Sequence, residues 1–86
     1  MKLDLIIVLR AEDFRLELQQ DGRMLDLQTA KYYHDLSDVL ITNLDKLLKR
    51  NNIDVKSLKS YKIHSDLGQD STSYKIIAAF VAGIQI

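Results

Sequence analysis

The spacing of apolar residues changes midway along this chain, from every second position to every third and fourth, and that change limits the folds open to it. Phe14-Arg15-Leu16-Glu17-Leu18-Gln19 alternates strictly, the mark of a strand with one buried and one wet face. Leu3-Asp4-Leu5-Ile6-Ile7-Val8-Leu9 is apolar on both alternating sets. Such a strand belongs in the middle of a sheet and is expected to be covered on each side. Gln20-Asp21-Gly22 signals a hairpin, because Gly22 can take a positive φ that other residues resist. Met24 to Thr29 resumes the alternation, with Leu25 and Leu27 on one side. Leu36, Val39, Leu40, Leu44, Leu47 and Leu48 then form one stripe of an amphipathic helix.

Local signals bound the remaining elements. Asp35 is placed to cap the long helix, and Lys46, Lys49 and Arg50 load its C-terminal end, where the helix dipole favours cations. Asn51-Asn52 ends it, Asp54 to Leu58 reads as a single helical turn, and Tyr61-Lys62-Ile63-His64 as a short strand. A polar loop around Gly68 leads to Asp70 or Ser71, either of which can cap a last helix starting near Thr72. A strand reached through a helix is most simply placed parallel to the central first strand. The expected fold is therefore α/β with a mixed sheet. It comprises a three-stranded antiparallel meander, a helix, a parallel fourth strand and a second helix, in sheet order 3-2-1-4 and as one domain over residues 1–86.

Composition narrows the function. Apolar residues make up 47% of the 86, cysteine and proline are absent, and net charge is zero. Without cysteine there are neither disulfides nor thiolate metal ligands, which suits a reducing, cytoplasmic setting. No apolar run approaches the roughly 20 residues a bilayer needs, so no membrane role is expected. Residues 1–45 carry five basic and nine acidic side chains and residues 46–86 carry seven and three. Overall neutrality argues against a dedicated nucleic-acid binder, while the asymmetry leaves a basic region at Lys46, Lys49, Arg50, Lys56, Lys59 and Lys62.

The last helix is the odd element. From Ile76 to Ile86 apolar groups lie nearly all the way round, and a chain this small has little left to cover them. Ile76, Ile77, Ala79, Phe80, Gly83 and Ile84 are the expected protein interface, the small residues allowing close approach of a second helix.

The order of elements and several local patterns resemble the N-terminal lobe of the TsaB family, which has an actin-like, ribonuclease-H-type fold. The likeness begins at Leu5-Ile6-Ile7 and runs without a gap through Glu12 and the Leu16-to-Gly22 hairpin, ending on an Asp-Gly turn. His34 stands where the family often opens its first long helix, and Ile53 to Leu58 matches a short segment before the fourth strand. The family's Gly-Pro-Gly-Ser-Phe-Thr-Gly-x-Arg loop corresponds to Leu67-Gly68-Gln69-Asp70-Ser71-Thr72-Ser73-Tyr74-Lys75. There Thr72 and Lys75 take the Thr and Arg places, and Ala78, Ala79, Ala82 and Gly83 the small positions of the following helix. The chain departs from the pattern where the family's first strand ends in Asp-Thr-Ser, having Val8-Leu9-Arg10 instead. In actin-like folds that Asp approaches metal-bound phosphates, and nucleotides sit between two lobes, of which only one has a counterpart here. The resemblance thus implies scaffold without ATP. It also implies a partner, since TsaB proteins pair with the actin-like catalytic protein TsaD in forming threonylcarbamoyladenosine (t6A) in tRNA.

No catalytic constellation accompanies these features. His34 and His64 are the sole histidines, and His64 with Asp66 at i, i+2 is spacing that chance supplies. Asp70-Ser71-Thr72-Ser73 reads as a cap more readily than as an anion site, since Asp70 repels phosphate. Tyr32 and Tyr33 precede the long helix, where they would staple its entry. The expectation is a non-catalytic interaction module without metal or cofactor, acting as a homodimer or on a TsaD-type partner. The alternative is a weak RNA-binding accessory that uses Lys46, Lys49, Arg50, Lys56 and Lys59.

Overall fold

β1 (Leu3–Leu9), β2 (Asp13–Gln20), β3 (Arg23–Lys31), α1 (Leu36–Arg50), β4 (Leu58–Ser65) and α2 (Thr72–Ile84) follow one another in the computed structural model, with a single 3-10 turn at Val55–Ser57 before β4. The structure describes residues 2–68 and 71–84. The sheet order is β3-β2-β1-β4, antiparallel across β3-β2-β1 and parallel between β1 and β4. A parallel neighbour needs a long crossover, and α1 supplies it. Order, direction and element types agree with the expectation from sequence.

Asp21 (φ 53°) and Gly22 (φ 83°) form the two-residue turn between β2 and β3. Two consecutive positive φ values match the right-handed twist of the flanking strands. Asp21 also accepts a bond from the Lys2 N–H at 2.8 Å through Oδ1 and donates its own N–H to the Lys2 carbonyl at 2.8 Å, clamping the start of β1.

The core lies on one side of the sheet. Leu3, Leu5, Ile7 and Leu9 of β1 and Phe14, Leu16 and Leu18 of β2 point into it, met by Leu36, Leu40, Leu44, Leu47 and Leu48 of α1 and by Ile77 and Val81 of α2. The parallel register sets Tyr61 beside Leu5 and Ile63 beside Ile7, and both pack on the same cluster. The expectation that β1 is covered on both sides is corrected here. Both helices pack on a single face, and the Ile6–Val8 face of β1 has no described element over it. Apolarity on both faces identified a central strand but could not say how many layers the chain would build.

β3 inverts the pattern of its neighbour. Asp26, Gln28 and Ala30 stand opposite the buried Leu18, Leu16 and Phe14, so its polar set faces α1, while Leu25 and Leu27 are exposed at 44% and 45%. A register shift between Leu18 and Gln19 leaves Leu25 as the extra residue of a bulge. The inward polar groups are satisfied by α1. Asp26 Oδ2 accepts from Arg50 Nε at 2.7 Å and from Asn51 Nδ2 at 2.9 Å, and Gln28 Nε2 donates to Asn43 Oδ1 at 2.8 Å. Arg50 also donates to the Leu27 carbonyl at 3.1 Å and to Gln28 Oε1 at 3.2 Å. Tyr32 closes the opposite end of this layer, stacking on Phe14 and donating its hydroxyl to the Arg10 carbonyl at 2.6 Å, whereas Tyr33 is 82% exposed and staples nothing. Asp35 occupies the position before α1 without a side-chain cap bond; its carboxylate accepts from the Tyr33 N–H instead.

Two tests follow from this packing. Leu40 is fully buried, so Leu40→Ala should lower stability by about 2–5 kcal/mol in denaturant unfolding. The Arg50 and Asn51 hydrogen bonds hold Asp26 down at about 2, against 3.8 for a free Asp. A carboxyl with a depressed folded pKa stabilises in full above its unfolded value and stops doing so as pH falls through the folded one. The wild type should therefore lose stability more steeply than Asp26→Asn between pH 3.8 and about 2, read from unfolding midpoints at stepped pH.

Candidate protein-interaction surfaces

α2 begins at Ser71, whose Oγ accepts the Tyr74 N–H at 3.0 Å while its carbonyl takes the Lys75 N–H at 3.1 Å. Ser71 thereby meets the expectation of a cap; Asp70, the other residue expected there, lies outside the described residues, as does Gln69. The helix then sorts its side chains by size. Ile77 and Val81, four apart, are buried; Tyr74, Ile76 and Phe80 are half-buried against the core. Lys75, Ala79, Ala82 and Gly83 are exposed. Ile77, expected at the interface, is therefore a core residue unavailable to a partner. The expectation that the uncovered side would carry large apolar groups is also revised: among described side chains it carries Lys75 and then the small Ala79, Ala82 and Gly83. A side chain begun at Gly83 would meet nothing within 4 Å, so the helix backbone can be approached closely there. The Ile84 side chain lies outside the described residues.

The basic residues gather at one end of the sheet. Leu3 pairs with both Gln20 and Leu58, so the start of β4, the preceding 3-10 turn and the β2–β3 hairpin share that end. The C-terminus of α1 reaches it through the Arg50–Asp26 contact. Lys46, Lys56 and Lys59 are exposed there. Lys49 is bridged to Asp45 at 2.9 Å, and Arg50 is held on β3 by three hydrogen-bond acceptors, on Asp26, Leu27 and Gln28. Lys62 stands apart, beside Ile6 on the helix-free face. Two of the five expected RNA contacts thus already have protein partners.

Where the resemblance places a phosphate-approaching carboxylate, this chain has Val8, half-buried near the end of β1, and the turn that follows is tight. Leu9 is fully buried, the Arg10 N–H donates to the Asp13 carbonyl at 2.9 Å, and the Arg10 carbonyl is taken by Tyr32. The cavity beside it, lined by Arg10, Asp13, Phe14, Arg15 and Thr29, holds about 60 Å³, well below the roughly 300 Å³ at which ligand pockets begin. His34 and His64 are both exposed, and among the described residues no group of three or more His, Asp or Glu is arranged for a metal. No described helix is long and apolar enough to cross a membrane.

The helix-free face of the sheet was passed over in reading the sequence. Register aligns two rows across it, Leu27–Glu17–Ile6–Lys62 and Thr29–Arg15–Val8–His64. Ile6 and Val8 are half-buried, and Arg15 Nε lies 2.7 Å from Glu17 Oε2. That contact is electrostatic and not a hydrogen bond: two side chains rising two residues apart on one strand meet at a poor angle, and the buried Arg15 Nε has no hydrogen-bond partner. The available signal was β1's apolarity on both faces combined with opposite charges at i, i+2 on β2.

Structure comparison gives the fold a relative. YeaZ from Pseudomonas aeruginosa superposes with a TM-score of 0.80 over 98% of this chain at 18% identity. The fold is that of YeaZ, a TsaB protein. An uncharacterized protein with similarity to peptidase YeaZ, from the same organism, gives 0.78, 98% and 17%. The chain spans 38% of the length of each. No family model matches the sequence, and no curated protein does. The TsaB-like architecture thus persists at an identity where sequence comparison finds nothing.

The cap supplies the test of how α2 is held. Ser71→Ala should cost about 1 kcal/mol in unfolding free energy, with the loss in amide-exchange protection concentrated in the first turn of α2.

Proposed function

We propose that this chain is a non-catalytic, TsaB-like interaction module that docks through the outer face of α2 on an actin-like, TsaD-type protein and serves t6A formation in tRNA. The observation that carries the reading is the sorting of α2, with Ile77 and Val81 buried beneath and Ala79, Ala82 and Gly83 exposed above. Small residues outward past Lys75 let another helix approach until the backbones nearly touch along Ala79 to Gly83, gaining dispersion contacts there. The flanking half-buried Ile76 and Phe80 would be covered completely by such a neighbour, adding apolar burial at about 25 cal/mol per Å². The likeness to YeaZ supports the partner class. The non-catalytic part rests on Val8-Leu9-Arg10, where an apolar pair and a cation stand in place of a carboxylate.

The test places a charge on the exposed side of α2. Ala79→Glu leaves the core untouched, so the unfolding midpoint should stay within error of wild type. Affinity for a TsaD-type protein of the same cell, measured by titration calorimetry, should fall by about tenfold or more, since desolvating a bulky carboxylate where a small residue allowed close approach opposes the contact. Equal affinity in the variant, or no binding by the wild type, overturns the reading. Phe80→Asp is the poorer probe, because Phe80 also packs on the core.

A further inference from the structure

We infer that the helix-free face of the sheet is a docking surface for a second copy of this chain, stacked face to face about a two-fold axis that crosses the strands. This inference is independent of the α2 reading and uses none of its residues. Its first ground is β1, whose helix-free face carries Ile6 and Val8 after Asp4, while only the opposite face has a described cover. Strands of that composition are buried on both sides. Ile6 and Val8, with the exposed Leu27 two strands away, form the apolar part of the surface.

The charge pattern selects the occupant. Glu17 and Arg15 sit at the centre of adjacent rows on β2, with Ile6 and Val8 beside them. A two-fold axis lying between the sheets, perpendicular to the strands and passing between the two rows, lays each row over the other row of the second copy. Arg15 then faces Glu17 of the second copy and Glu17 faces its Arg15, closing a ring of four alternating charges, while Ile6 and Val8 meet each other. Such reciprocity is what an isologous interface requires. A two-fold axis parallel to the strands and running over β2 would set Arg15 on Arg15 and Glu17 on Glu17, and is rejected by repulsion; moved between β1 and β2 it would set the charges on Val8 and Ile6, pairing neither. The side chains are prepared for the first arrangement. Glu17 is only 12% exposed, and the ion pair within one chain leaves Arg15 Nε without a hydrogen bond. A guanidinium carries five donors in a fork that suits a second carboxylate.

The surface also sets the strength. Four strands about 4.8 Å apart, each about seven residues long at about 3.3 Å per residue, give a footprint of about 400 Å² per copy. Stable dimers bury about 800 Å² per partner, so this dimer is weak and concentration-dependent, and because its centre is ionic it loosens with salt.

The experiment is solution mass by light scattering and sedimentation over a protein concentration series, on the full chain. Wild type should rise from one chain toward two, and Arg15→Glu and Glu17→Arg should each stay at one chain with the circular dichroism of wild type. Mixed in equal amounts they should regain the two-chain mass, because one face then carries only carboxylates at the centre and the other only guanidinium groups. Should either reversal unfold the sheet, Leu27→Lys carries the test, since Leu27 is 45% exposed on an edge strand. A one-chain mass for that variant supports the inference and a two-chain mass overturns it. A wild type that stays at one chain up to millimolar concentration overturns it, as does a dimer indifferent to Arg15→Glu. A folded mixture that fails to pair overturns it as well. Ala79→Glu should leave the dimer intact; if it abolishes the dimer, copies meet through α2 and the sheet inference fails while the α2 surface stands.

Discussion

Hydrogen bonding along both edges of β1 governs the rest of this molecule. One edge is taken antiparallel by β2 and the other parallel by β4, with partners all along Leu3–Leu9. An antiparallel neighbour can be reached by a short turn, but a parallel one demands a return to the starting end of the sheet. α1 makes that return, and its leucine stripe must then lie on Leu3, Leu5, Ile7 and Leu9. α2 follows β4 onto the same face beside α1. One strand's pairing thus fixes the crossover, the side on which both helices lie and, by exclusion, which face of the sheet is left without helices.

Two surfaces emerge from that arrangement, and they differ in kind. The outer side of α2 carries one cation, Lys75, and beyond it only small groups at Ala79, Ala82 and Gly83, which favours close packing against another helix. The helix-free face is flatter, with apolar groups on β1 and β3 and an ion pair between them on β2. Because they lie on opposite sides of the sheet, occupation of one does not obstruct the other, and a module used twice could bridge a copy of itself and a larger partner. The turn after β1 contributes to neither, closed as it is by the Tyr32 hydroxyl on the Arg10 carbonyl.

Polar interactions decide detail more than they decide fold. The cluster of Asp26, Arg50 and Asn51 fastens the end of α1 to an edge strand where apolar contact runs out. It engages Arg50 at the basic end, where Lys46, Lys56 and Lys59 are exposed and Lys49 is bridged to Asp45. Electrostatic attraction for a phosphate backbone scales with the number of charges that can reach it, so this structural use of Arg50 weakens the RNA reading in proportion.

The sequence by itself determined the order of elements, the sheet order, the hairpin at Asp21-Gly22, the buried stripe of α1 and the likeness to a TsaB lobe. Each of these depends on residues near one another in the chain, through periods of two and about 3.6 or through turn geometry. The tertiary structure alone decided which strand face the helices would take and that β3 turns its leucines outward. It also decided that Arg50 would be spent on Asp26, that Ile77 would be core and that Ala79, Ala82 and Gly83 would be surface. A helix apolar on every side has no periodic mark to say which side packs, and a strand apolar on both faces does not reveal how many layers exist. Those choices are made by what lies across the sheet, at distances along the chain that no local pattern encodes.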